Sequence, residues 1–154
     1  MSKNKVLRIP IISVVTGIII SIISTSSVFI IARGTNEWTI MMGDIILYVE
    51  VALSVVLFIT TGLLYLKDMS KKDILRSSLI VVIYYVLLVG LEQLLIMLGK
   101  YPIAIIWLFT PLRLYGVIHQ VLLRLDIMSV WSGLILSIVA PFLYVIFGKS
   151  KREI

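Results

Sequence analysis

The chain contains no cysteine, which removes disulfides, thiolate nucleophiles, thiolate metal sites and dithiol redox chemistry together. Charge is scarce as well. Only 14% of residues are charged and 60% are hydrophobic, with a mean hydropathy of +1.14, against about 25% and 45–50% in a soluble domain. A soluble fold of 154 residues still leaves much of its area in water. It cannot hide this much apolar side chain, so lipid must be the main solvent. No phosphate-binding loop, Rossmann glycine pattern, G-x-S-x-G elbow, zincin motif or CxxC pair occurs, which removes the readable signatures of enzyme and cofactor chemistry. The net charge of +6 is spread in clusters between apolar runs, without aromatic interleaving, so it points to membrane topology and lipid headgroups rather than to nucleic acid.

What is present is a series of long apolar runs. The first, Pro10 to Ala32, exceeds the ~20 residues that cross the hydrocarbon core. It is also longer than the ~7–15 residues of a secretory signal and lacks a small-residue cleavage site, so it reads as a retained span. The second run is Thr39 to Leu66, the third Leu75 to Leu98 and the last Ile127 to Phe147. Between the second and third lies the one strongly charged internal loop, Lys67 to Asp73. Residues 103 to 126 are apolar but carry Pro111, Arg113, His119, Gln120 and Arg124.

The expected fold is therefore all-α, a single polytopic transmembrane helical bundle over 1–154. It has four spans, at about 10–32, 39–66, 75–98 and 127–147, plus a Pro-broken amphipathic or re-entrant segment at 103–126. The alternative has five spans. Four spans place ten of the fourteen Lys and Arg residues on the inner side and four elsewhere; five spans place eight inside and five outside, with Arg113 within the bilayer. The positive-inside rule prefers the first, with both chain ends cytoplasmic in a cell membrane. Trp38 and Tyr101 then fall at the outer boundary and Tyr65 and Tyr144 near the inner one, as interfacial aromatic belts require.

Helices in lipid associate through small residues and polar contacts, and each run carries such a stripe. Ser13, Gly17, Ser21 and Ser24 share a face of the first, and Ser129, Gly133, Ser137 and Ala140 a face of the last. The two middle runs place acids on theirs: Gly43, Glu50, Ser54 and Thr61 in the second, Ser78, Tyr85, Glu92 and Gly99 in the third. At a rise of ~1.5 Å per residue, Glu50 lies about 18 Å from Trp38 and Glu92 about 9 Å from Leu98. Intramembrane acids cost at least a few kcal/mol unless paired or protonated, which makes them functional candidates. Arg113, Gly116, Gln120 and Arg124 form one polar stripe on 103–126, placed to face those acids or to lie along headgroups. Asp44 is set about 120° round the helix from Glu50, near the outer end and within reach of water.

The expected ligand-binding set is accordingly Glu50, Glu92, Arg113, His119, Gln120 and Arg124. The leading expectation is an outward-facing site that binds, or helps to transport, a small polar or charged ligand. No cofactor is expected, and no metal, because Glu50, Glu92 and His119 lack the spaced Glu-x-x-His or His-x-x-x-His pairs of helical metal sites. The chain is short for a transporter with paired repeats, so a homo-oligomer or a larger membrane complex is expected. Two other classes stay open. One is an accessory, assembly or immunity-type protein acting through a protein partner. The other is an intramembrane lipid-modifying enzyme with Glu50 or Glu92 as acid or base and His119 assisting.

Overall fold

The structure, a computed structural model, describes residues 3–34, 37–100, 102–127 and 130–149. It is all-helical, with no strand among the described residues. The elements are α1 (Lys3–Val6), α2 (Arg8–Ala32), α3 (Ile40–Thr61), α4 (Lys71–Met97), α5 (Ala104–Leu108), α6 (Arg113–Arg124) and α7 (Val130–Val139). A π-helical turn, Gly62–Leu66, prolongs α3, and 3₁₀ turns follow α5 at Thr110–Leu112 and α7 at Ala140–Phe147.

Three helices, Arg8–Ala32, Ile40–Leu66 and Lys71–Met97, are long and apolar enough to cross a membrane, with mean hydropathy between 2.2 and 2.4. Only about a fifth of each apolar stretch is buried within the protein. Soluble monomers rarely expose more than a few hundred Å² of contiguous apolar surface, so these helices need lipid around them. Their apolar character runs round the whole circumference, whereas α6 is strongly amphipathic.

The third long helix begins four residues earlier than the apolar run, at Lys71 rather than Leu75. Lys71, Lys72 and Asp73, expected in the loop, form its first turn. The Ser70 hydroxyl accepts the Asp73 N–H at 3.2 Å and donates to the Asp73 carboxylate at 2.9 Å, an N-cap that hydropathy alone does not register. The helix ends where expected. Gly99, at φ +65°, donates to the Ile96 carbonyl, and Lys100 to that of Leu95; this is the paired closure that favours glycine.

The last apolar run is not one α-helix. Pro141 has no N–H for the Ser137 carbonyl and its ring obstructs a continued α turn. The chain accordingly passes from α7 into the 3₁₀ turn at Ala140. The steeper 3₁₀ rise compensates in length: the two segments together extend about 31 Å. Ser129, expected at the head of this run's stripe, lies outside the described residues, as do Tyr101, Lys151 and Arg152.

The core is concentrated at one end of the bundle. Ile9, Leu66, Met69, Ile74 and Tyr144 are fully buried there. The Tyr144 hydroxyl pairs with Thr61 at 2.8 Å, and Ser78 donates to the Pro141 carbonyl at 2.8 Å. Gly62 lies flat against the Phe147 ring, where a Cβ would collide. The Lys149 N–H bonds to the Met69 carbonyl at 3.0 Å, tying the end of the last helix to the charged loop. Arg8 Nη1 bonds to the Asp68 carboxylate at 2.6 Å and to the Tyr65 carbonyl at 2.9 Å. The Arg8 hydrogen bond holds the Asp68 carboxyl below the usual carboxylate range, against a smaller opposing effect of burial. The other end buries less: Phe29 and Ile30 near the end of α2 and Ile40 and Met41 at the start of α3 are all more than 70% exposed.

Residues 103–126 form a hairpin broken at Pro111. Its tip, Thr110–Leu112, presses on Gly17 in the middle of α2, with the Thr110 carbonyl and the Pro111 Cα in the space a side chain would need. Tyr84 donates to the Leu108 carbonyl at 2.6 Å and the Tyr115 hydroxyl meets Ser13 at 2.7 Å. The second arm, α6, returns along α3 toward Asp44, close to the start of that helix.

Candidate functional site

The hairpin brings the basic stripe of α6 against α3. Arg113 opens α6, where its charge adds to the positive end of the helix dipole and an acid nearby is favoured. That acid is Glu50, whose Oε1 lies 4.0 Å from Arg113 Nη1. The pair is asymmetric: the Glu50 side chain is 11% exposed and that of Arg113 41%. Arg113 can therefore reach solvent or a ligand while neutralising an acid that cannot.

Three turns further along α6, Arg124 binds Asp44, with Nη2 at 2.6 Å from Oδ1 and 2.7 Å from Oδ2. Asp44, expected to reach water, is instead the partner of Arg124. Two acids six residues apart on α3 face two arginines eleven apart on α6. The rises differ, about 9 Å against 16.5 Å, and long arginine side chains close the gap.

A cleft of about 370 Å³ opens between α6, Tyr85 of α4 and Ser137 of α7, with Arg113, His119 and Gln120 among its walls. Tyr115, Phe109 and Leu112 complete the tip end. A wider depression of about 550 Å³ adjoins it, bordered by Trp38, Asp44 and Arg124. Gln120 and Leu123 line both spaces, so the polar stripe of α6 borders both, from the Asp44–Arg124 pair near the start of α3 to Arg113. The cleft walls carry a guanidinium, an imidazole, an amide and the Tyr85 phenol, with no carboxylate; the Tyr115 hydroxyl is turned away to Ser13. This donor-rich set favours a ligand that carries acceptor oxygens or negative charge.

Of the six residues expected to bind ligand, Arg113, His119 and Gln120 share the cleft, Glu50 stands behind Arg113, and Arg124 guards the mouth. Glu92 is half-buried on α4, two turns beyond Tyr85, and does not line the cleft. Of the two acids that the α6 stripe is placed to face, Glu50 lies 4.0 Å from Arg113, whose helix begins directly after the hairpin tip at the level of Gly17. Ser54, one turn from Glu50, is buried with no hydrogen-bond partner among the described residues, leaving a donor beside the acid. The sequence sets Asp44 near one end of its run without pairing it, and does not distinguish Tyr84 or Tyr115. Asp44 was in principle legible as the second acid opposite a second arginine; the tyrosines looked like any aromatic in an apolar run.

Among the described residues no three of His, Asp and Glu converge as a metal-binding group. No protein-family model, curated protein or solved structure matches this chain. The three long apolar helices make it a helical membrane protein.

Proposed function

We propose that this is a four-span protein of the cytoplasmic membrane, with residues 103–126 as a re-entrant hairpin entering and leaving on the outer side. In this reading the Arg113–His119–Gln120 cleft binds, or helps to transport, a small polar or charged ligand arriving from outside. The observation that carries it is the polar stripe of α6 that borders both spaces, from the Asp44–Arg124 pair to an Arg113 that stays accessible while paired with buried Glu50. Irregular backbone at membrane depth is tolerated where protein or a water-filled cavity surrounds it, and the hairpin tip meets that condition against α2 and α4. The charge pattern supports the orientation. Arg8, Lys67, Lys71 and Lys149 gather at the tightly packed end, and the positive-inside rule makes that end cytoplasmic. The last helix, at about 31 Å, matches a hydrocarbon core of ~30 Å.

Two experiments test this. Single cysteines at Ser70, Lys100, Asp126 and Ser150 in the naturally cysteine-free chain report sidedness with an impermeant maleimide. Lys100 and Asp126 should label from outside, and outside labelling of Ser150 would overturn the four-span arrangement. For the site, purified protein is melted in detergent with phosphate, acetate, glutamate or glycine at millimolar concentration. The expected result is a stabilising shift with at least one of them that is lost in Arg113→Gln and reduced in Gln120→Ala. No shift with any of the four, or a shift unchanged in both variants, refutes the cleft as the binding site.

A second reading has its own observation, the exposed apolar second half of α2, which suits a partner helix. A stable protein complex recovered in mild detergent, together with no ligand shift, favours an accessory role.

A further inference from the structure

The opposite end of the bundle holds a second feature, independent of the outer cleft. A groove of about 510 Å³ runs between α2 and the π turn of α3, within the ~300–1,000 Å³ range of small-molecule sites. Its walls, Ile11 and Val15 on one side and Leu64 on the other, are half exposed or more. These are positions on two membrane-crossing helices, so acyl chains are the medium they face. The π turn forms one of its walls, through Leu64 and Tyr65. Thr61 returns its hydroxyl to the Leu57 carbonyl at 2.6 Å, a competition with the backbone ladder that distorts helices, and the chain then widens over Gly62–Leu66.

The mouth is cationic. Arg8 and Lys67 line it together with Asp68, and Lys5 stands beside it, its Nζ 3.5 Å from the Asp68 carbonyl oxygen. Arg8 engages Asp68 and Tyr65 through Nη1 alone. Its remaining N–H groups and the Lys67 ammonium have no partner among the described residues. Three cations against one carboxylate leave an excess of positive charge at headgroup depth, above an apolar slot open to lipid. Basic pockets between helices on the cytoplasmic side are matched by acidic headgroups.

We propose that this groove holds one anionic phospholipid of the inner leaflet, its phosphate against Arg8 and Lys67 and one acyl chain along Ile11, Val15 and Leu64. The assignment rests on the membrane orientation above but not on the outer cleft. Full-length protein in mixed micelles of phosphatidylglycerol and phosphatidylcholine, examined by native mass spectrometry during graded delipidation, should retain one phosphatidylglycerol preferentially. Lys67→Gln should weaken that retention about fivefold, the contribution of one basic residue near an anionic surface. Val15→Trp, which fills the slot from an exposed wall position, should abolish it with helicity by circular dichroism unchanged. Arg8→Gln is the poorer probe because Arg8 also holds the loop. Soluble glycerol phosphate at millimolar concentration should not compete, since the chain supplies half of the contact. Equal retention of the two lipids, a phosphatidylglycerol preference that survives either variant, or displacement by glycerol phosphate overturns the assignment.

Discussion

Gly17→Ala is the sharpest test of how the hairpin sits. The added methyl group would enter the space held by the Thr110 carbonyl and the Pro111 Cα. Both neighbours are backbone, so no side-chain rotation relieves the overlap. Overpacking of this kind costs about 1–3 kcal/mol. The hairpin tip is fastened by two hydrogen bonds, Ser13 to Tyr115 and Tyr84 to Leu108, each contributing about 1 kcal/mol net. The overlap is thus as large as the contacts that oppose it, and the tip should be displaced rather than compressed. The apparent Tm in detergent should fall by several degrees, at about 2–4 °C per kcal/mol for a chain of this size. A single cysteine at Thr110, half-buried in the native hairpin, should react faster with maleimide in the Gly17→Ala background. Gly90→Ala is the control: nothing lies within 4 Å of a Cβ there, and alanine in a helix interior is favoured by about 0.5–1 kcal/mol. An unchanged Tm together with unchanged Thr110 labelling in Gly17→Ala would show that the tip does not rest on α2.

Further outcomes follow from the charges and the turns. Arg113→Gln strands a nearly buried Glu50, and breaking a buried pair from one side costs ~3–5 kcal/mol; the 4.0 Å separation and Arg113 exposure place this pair below that range. The double variant Glu50→Gln/Arg113→Gln should recover part of the loss in thermal melting, and a strictly additive result would mean the two do not interact. Asp68 has its carboxyl pKa lowered by Arg8, so its stabilising effect is present above the unfolded carboxylate pKa of ~3.9 and fades as pH drops through the lower folded value. The Tm difference between wild type and Asp68→Asn should therefore be small but constant from pH 7 to 5 and vanish in more acid solution, small because an exposed pair contributes under about 1 kcal/mol. Asp126 holds a left-handed conformation at φ 56° in the turn that closes α6, which costs roughly 1–2 kcal/mol for a residue with a Cβ. Asp126→Gly should raise the apparent Tm by a few degrees, and a drop would reveal a contact of the carboxylate that the turn geometry does not account for.

Much of the bundle follows from the sequence alone, because the first three apolar runs, 23 to 28 residues long, have only one inexpensive environment and one backbone solution within it. The ends of the first three runs, the break at Pro111 and the amphipathic 113–124 segment were legible for that reason. So was the shared face of Arg113, Gln120 and Arg124, which needs only the helical period; His119, six residues from Arg113, is set about 120° round the helix from it. The start of α4 was not, since a cap formed by Ser70 and Asp73 overrides the charge of Lys71 and Lys72 in deciding where the helix begins. Nor was the choice of Glu50 over Glu92 for Arg113. That choice depends on how far the hairpin descends before it turns, and the depth is set by Gly17, whose missing side chain admits the Thr110 carbonyl. Helical periodicity fixes the face a residue occupies on its own helix. Which faces meet, and at what height, is decided by steric fit between segments distant in the chain, and here that fit alone joined Asp44 to Arg124 and Glu50 to Arg113.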